Sequence, residues 1–193
     1  MTTPSHLHRM ALVLTLVFGI ASWGVADASS APHSGIWVHV DTRAEVTEIR
    51  RGGESVLRLE QIAFGRGGVS DLHLNGDGTT PRGEYRITHF NPESRFHRFI
   101  GINYPTLHHL DRARADGKIS NQTYWDTLDA GLRMGRFPQD GPLGGHIGFH
   151  GIGDGDHRVH RAFHWTQGCI AMTNTQIETL IDWVRVGTPV IIE

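Results

Sequence analysis

The chain has 193 residues, with 18 Lys plus Arg against 20 Asp plus Glu, so its formal net charge of −2 carries no electrostatic footprint for nucleic acid or an anionic membrane. The length behind a short leader is that of one ordinary domain, able to bury a full core without covalent staples. Its one cysteine excludes a disulfide framework within the chain.

The first residues place His6, His8 and Arg9 ahead of an apolar run from Met10 to Ala21, followed by Ala26-Asp27-Ala28. A basic start, a short apolar stretch and a small-residue site form the pattern of a secretory signal peptide, with cleavage expected after Ala28. The run is shorter than the roughly 20 apolar residues of a membrane span, and nothing later in the chain comes near that length. Residues 29–193 are then the expected mature domain, exported and free of any membrane span.

Gly35 to Asp41 alternates large apolar and other residues, Glu45 to Arg50 does so more weakly, and Ser55 to Phe64 continues the hairpin-like opening. Gly65 to Gly68 and Asn75 to Gly78 are turn punctuation. Glu84 to Thr88 reads as a strand, and Ser94 to Ile102 as extended. Thr106 to Ala115 and Ser120 to Met134 have helical spacing, with Ser120 as N-cap and Trp125, Leu128 and Leu132 on one face expected to pack on the core. His108-His109 is a surface pair by this pattern. Gly144 to His150 reads as a strand, and Gly168 to Met172 as the start of another. Thr175-Gln176-Ile177-Glu178 reads as a capping box opening a helix that carries Ile177, Leu180, Ile181 and Val184. Gly187-Thr188-Pro189 ends that helix, and Val190 to Ile192 closes the chain as a buried strand. The expected fold is one mainly β domain, a curved sheet or sandwich with inserted helices and a C-terminal helix.

Cys169 lies in His164-Trp165-Thr166-Gln167-Gly168-Cys169-Ile170-Ala171-Met172, downstream of Gly148-Phe149-His150-Gly151. A buried cysteine that packs as a small hydrophobe is the bland alternative. In an exported chain a thiol without a partner is a liability, which favours a working role. The pairing then reads as a nucleophile, Cys169, and a general base, His150, whose imidazole takes the thiol proton and later returns it to a leaving amine. Gly168, without a Cβ, permits a sharp turn that aims the Gly168 and Cys169 amides at a developing oxyanion. A metal site is the competing use of so many histidines. On a strand, however, His146 and His150 face the same way with backbones about 13 Å apart, too far to share a zinc ion. His157, His160 and His164 share a polar stretch without a recognised ligand spacing. Neither metal nor cofactor is expected.

Thr80-Pro81-Arg82-Gly83-Glu84-Tyr85-Arg86-Ile87, Ile147-Gly148-Phe149-His150-Gly151, Thr166-Gln167-Gly168-Cys169-Ile170 and Gly187-Thr188-Pro189-Val190 together resemble the L,D-transpeptidase catalytic domain, the YkuD-like family. The ordered set covers nearly the whole mature chain. The Trp-Thr-x-Gly-Cys-Ile-Ala form looks like a distinct branch, with Gln167 where His is commoner and Ala171 where Arg is common. The resemblance implies Cys169 as nucleophile, His150 as base, the Gly151 carbonyl as its orienter and the Gly168 and Cys169 amides as oxyanion donors. Thr166, Gln167, Arg161 and His146 are the flanking candidates for substrate contact. It also implies a periplasmic, cell-wall location and peptidoglycan stem peptides as partners, handled through a cysteine thioester. Cross-linking, protein attachment, carboxypeptidase action, release of a wall-linked lipoprotein, and an idle wall-binding module all stay open. Carbapenems, which resemble the family's acyl donor, are expected to modify Cys169.

Overall fold

The computed structural model describes Met1 and residues 33–193. The expected leader over residues 1–28 lies outside the stretch it describes after Met1. The elements in chain order are β1 (Ile36–Asp41), β2 (Val46–Arg51), β3 (Glu54–Glu60), β4 (Val69–Ser70), β5 (Thr80–Pro81), β6 (Gly83–Ser94), β7 (His97–Ile102), α1 (Leu107–Ala115), α2 (Asn121–Met134), β8 (Gly148–His150), α3 (His157–Ala162), β9 (Ile170–Ala171), α4 (Asn174–Trp183) and β10 (Pro189–Ile192).

Eight strands form one mixed sheet in the order β3-β2-β1-β10-β6-β7-β8-β9, and β4 pairs with β5 apart from it. The alternation of β1 explains its central place: Val38 and Val40 are fully buried and stand opposite Val190 and Ile192 of β10 in parallel register. The long strand β6 serves both halves. Gly83 to Arg86 pair with β10, Ile87 to Ser94 pair with β7, and the register shifts between Ile87 and His89. A shift of this kind bends a strand and lets it change neighbours. The extended reading of Ser94 to Ile102 becomes the end of β6, a turn at Arg95-Phe96, and β7.

The main core gathers Val38, Ile49, Ile87, Ile100, Phe149, Ile170 and Met172 from the sheet with Ile177 and Leu180 from α4. Helix α4 begins earlier than its sequence suggests. Its capping box is Thr173 with Gln176, the Thr173 hydroxyl accepting the Gln176 N–H at 3.2 Å and the Gln176 side chain accepting the Thr173 N–H at 2.9 Å. Thr173 and Thr175 both stand three residues before a Gln or Glu, and the earlier start buries Ile177 and Leu180 directly after β9.

A second, smaller core of Leu110, Ala113, Ile119, Tyr124 and Leu143 lies under the α1–α2 insertion. Here two expectations fail. Trp125 is 57% and Leu132 77% exposed, because α2 turns Tyr124 and Gly131 inward, leaving Trp125 with the Arg114 guanidinium of α1 over its ring. His109, expected at the surface, is 3% exposed, stacked on Tyr85 with the Tyr85 hydroxyl 3.1 Å from its Nε2. Among the described residues no helix is long and apolar enough to cross a membrane.

Candidate active site

The parallel pairing of β8 with β9 sets Phe149 beside Ile170, both fully buried. His150 follows Phe149, and Cys169 precedes Ile170. Side chains alternate along strands, so both project to the face opposite that buried pair, on a diagonal with backbones about 8 Å apart. That is how residues separated in sequence become neighbours.

The His150 ring is 3% exposed. Phe96 stacks on it at 4.4 Å between centroids, and Trp165 meets it edge-on at 5.6 Å. Its Nδ1 lies 2.6 Å from the Gly151 carbonyl oxygen. A carbonyl only accepts, so Nδ1 carries the proton and Nε2 is left as the basic nitrogen. Asn174, at the start of α4, fixes the loop behind that carbonyl by accepting the Gly153 N–H at 3.0 Å and donating to the Gly153 carbonyl at 2.9 Å. Burial pushes the imidazole down to about 4; the Gly151 bond opposes the shift, while the charges of His160 and Arg95 add to it.

Cys169 is half-buried. Although part of the residue meets solvent, the protein packed around its sulfur pushes the thiol up to about 11, with the Gly148 backbone N–H offsetting part of that rise. At rest the Cys169 thiol donates to the His146 carbonyl at 3.3 Å, and no hydrogen bond joins it to His150. At rest the pair is therefore a neutral thiol and a neutral imidazole.

The loop before Cys169 is tied internally. The Thr166 hydroxyl donates to the Cys169 carbonyl at 2.7 Å and accepts the Gly168 N–H at 3.1 Å. Gly168, at φ +129°, could not carry a side chain: a Cβ would fall 2.6 Å from the Thr79 carbonyl oxygen. Of the expected oxyanion pair, the Gly168 N–H is engaged within the loop. Among the described residues the Cys169 N–H has no such partner.

The flanking candidates separate. Thr166 is buried with its hydroxyl engaged in the loop, and Gln167 is exposed beside it. His146 lies before β8 rather than on it, at φ +54°, its N–H held by the Gln139 side chain at 2.8 Å, so its backbone rather than its imidazole reaches the thiol. Arg161 sits on α3, a short helix without apolar periodicity that the sequence did not reveal, and lines a cavity of about 250 Å³ with Glu45, Gln61 and His164. Phe96 and Asn174 also had no sequence signal, being an aromatic in a turn and a polar residue at a helix start. Among the described residues no three His, Cys, Asp or Glu side chains gather as a metal site. A cavity of about 890 Å³ is lined by Leu128, Leu132 and Phe137 and by neither Cys169 nor His150.

Two solved structures share this architecture. The helical cell shape determining protein Pgp2 from Campylobacter jejuni is 20% identical with a TM-score of 0.56, over 85% of this chain and 50% of that one. Bd1075 from Bdellovibrio bacteriovorus is 18% identical with a TM-score of 0.52, again over 85% of this chain and 50% of the other. At such identities the likeness is one of fold, and the chain spans about half the length of each. No curated protein sequence matches it. The model of the L,D-transpeptidase catalytic domain, YkuD, matches residues 35–192, from just before β1 to the end of β10, and the chain belongs to that family.

Proposed function

We propose that the protein is an exported cysteine L,D-transpeptidase acting on peptidoglycan stem peptides. The observation that carries this reading is the His150 ring, whose Nδ1–H is fixed on the Gly151 carbonyl at 2.6 Å so that Nε2 serves as base on the face it shares with Cys169. Cys169 Sγ attacks the carbonyl that joins the L-centre of a diaminopimelate-type residue to a terminal D-residue. The thiol proton passes to His150 Nε2 as the S–C bond forms, the Cys169 N–H receives the oxyanion, and the proton moves on to the leaving amine as the C–N bond breaks. An acceptor amine then attacks the thioester, its proton passing through His150, and the thiol is regenerated. Water as acceptor gives a carboxypeptidase instead.

With the thiol near 11 and the imidazole near 4, the proton stays on sulfur until attack begins. Deprotonation thus accompanies bond formation rather than preceding it. In the free enzyme, alkylation of Cys169 by iodoacetamide is expected to quicken steadily as pH rises toward about 11, following the thiolate fraction. A plateau near neutral pH would instead reveal a standing thiolate–imidazolium pair.

The function is tested by incubating the purified protein with muropeptides and following products by mass spectrometry. Cross-linked dimers are the expected result. Loss of a D-residue or of a lipoprotein stub without dimers assigns a hydrolase, and unchanged peptides with retained binding assign an idle wall-binding module.

A further inference from the structure

One buried, polar histidine near the nucleophile loop has no part in the steps above. His73 is 4% exposed, in the segment between β4 and β5. Its Nδ1 lies 2.8 Å from the Thr79 carbonyl oxygen and 2.9 Å from Asp77 Oδ1. Both partners only accept, so Nδ1 carries a proton shared between them. Asp77 is itself fixed, its two oxygens accepting the Leu74 N–H at 2.7 Å and the Thr79 N–H at 2.8 Å.

The same ring touches both loops that meet at Cys169. A Cβ built on Gly168 would fall 3.3 Å from His73 Cε1 as well as 2.6 Å from the Thr79 carbonyl oxygen that His73 holds. A Cβ on Gly144 would fall 2.9 Å from His73 Nε2, and Gly144 opens the short run to His146, whose carbonyl receives the thiol. Asp77 grips His73, His73 grips the Thr79 carbonyl, and that carbonyl lies against the peptide unit that precedes the nucleophile.

Resting on the transpeptidase reading, we propose that His73, braced by Asp77, is a positioning residue that sets the Gly168–Cys169 peptide and so aims the Cys169 N–H at the oxyanion. Its work is felt only where a carbonyl oxygen gains charge. Acylation needs that amide, whereas SN2 alkylation of the thiol does not.

The test compares two probes on the full protein, a carbapenem that acylates Cys169 and iodoacetamide that alkylates it, each followed by intact mass. In His73→Ala the acylation rate is expected to fall about 10- to 100-fold, as for a reacting group displaced by a fraction of an ångström, with the alkylation rate unchanged. His73→Asn, whose side-chain N–H falls near the Nδ1 position, is expected to recover most of the acylation by restoring the bond to Thr79. Asp77→Asn, at a partly exposed carboxylate, carries the same comparison if His73→Ala does not fold, and is expected to slow acylation alone. Equal loss of both reactions, or loss of neither in a folded variant, overturns the proposal. Failure of the unaltered protein to be acylated while it is alkylated instead overturns the transpeptidase reading.

Discussion

The loop that ends at Cys169 and the α1–α2 insertion treat polar and apolar groups in opposite ways. Around Cys169 the backbone is pinned from several directions: Thr166 bridges the loop, the Thr79 carbonyl fills the space of a missing side chain, and the His146 carbonyl holds the thiol. The insertion leaves Trp125, Leu132 and Met134 more than half exposed and borders a cavity of about 890 Å³. The contrast teaches that the proposed chemistry belongs where hydrogen bonds over-determine positions rather than at a broad apolar cavity.

The sharpest way to break that contrast is to remove the sulfur. Cys169→Ala is expected to abolish turnover of muropeptides while leaving the melting curve in place, and residual turnover would move the chemistry elsewhere. His150→Ala is expected to lower the rate by about two to four orders of magnitude, the range of a positioned base, measured as kcat/KM. Gly168→Ala probes the pinning directly. A methyl driven toward the Thr79 carbonyl at a left-handed φ is expected to cost about 1–3 kcal/mol in urea unfolding and to slow acylation with it. A neutral result would mean that the loop has slack.

Acid sharpens the comparison next. His150 and His109 are buried and pushed down to about 4, and burial lowers His160 as well. Unfolded imidazoles bind protons near 6.5, whereas His150 and His109 resist protonation until about 4. Between those values the unfolded chain takes up more protons, so stability is fully present above 6.5 and is lost as the pH falls through the window. Tm measured at intervals from pH 7 to 4 should decline, and His109→Gln should flatten the decline in the insertion's share. The smallest effect belongs to the exposed face of α2. Leu132→Ser and Trp125→Ser should change unfolding free energy by no more than about 0.5 kcal/mol and leave turnover untouched.

Periodicity made the ends of the fold legible. The alternation of β1, the helical spacing of α1 and α2 and the apolar closing strand β10 all stand where the pattern puts them. It failed where the partner decides. The stripe of Trp125 and Leu132 is a true helix face, but a face declares only that it is apolar, not that something covers it. His109 departs from the pattern for the converse reason, since it is buried against Tyr85, distant in sequence. In the candidate site, motifs single out Cys169 and His150, and strand pairing puts both on one face. What spacing could not convey was hydrogen-bond direction: the Gly168 N–H turning back to Thr166, the His146 backbone rather than its ring meeting the thiol, and the Phe96 stack on His150.

The Thr166 hydroxyl both gives and receives a hydrogen bond in a spot that is 4% exposed. Valine has nearly the same outline but would strand an amide and a carbonyl away from water, at about 1–3 kcal/mol for each orphan. Serine keeps the oxygen and sacrifices only a methyl. The position therefore selects by element rather than by shape, and of the two branched side chains that fit, the one without an oxygen would undo the turn that presents the sulfur.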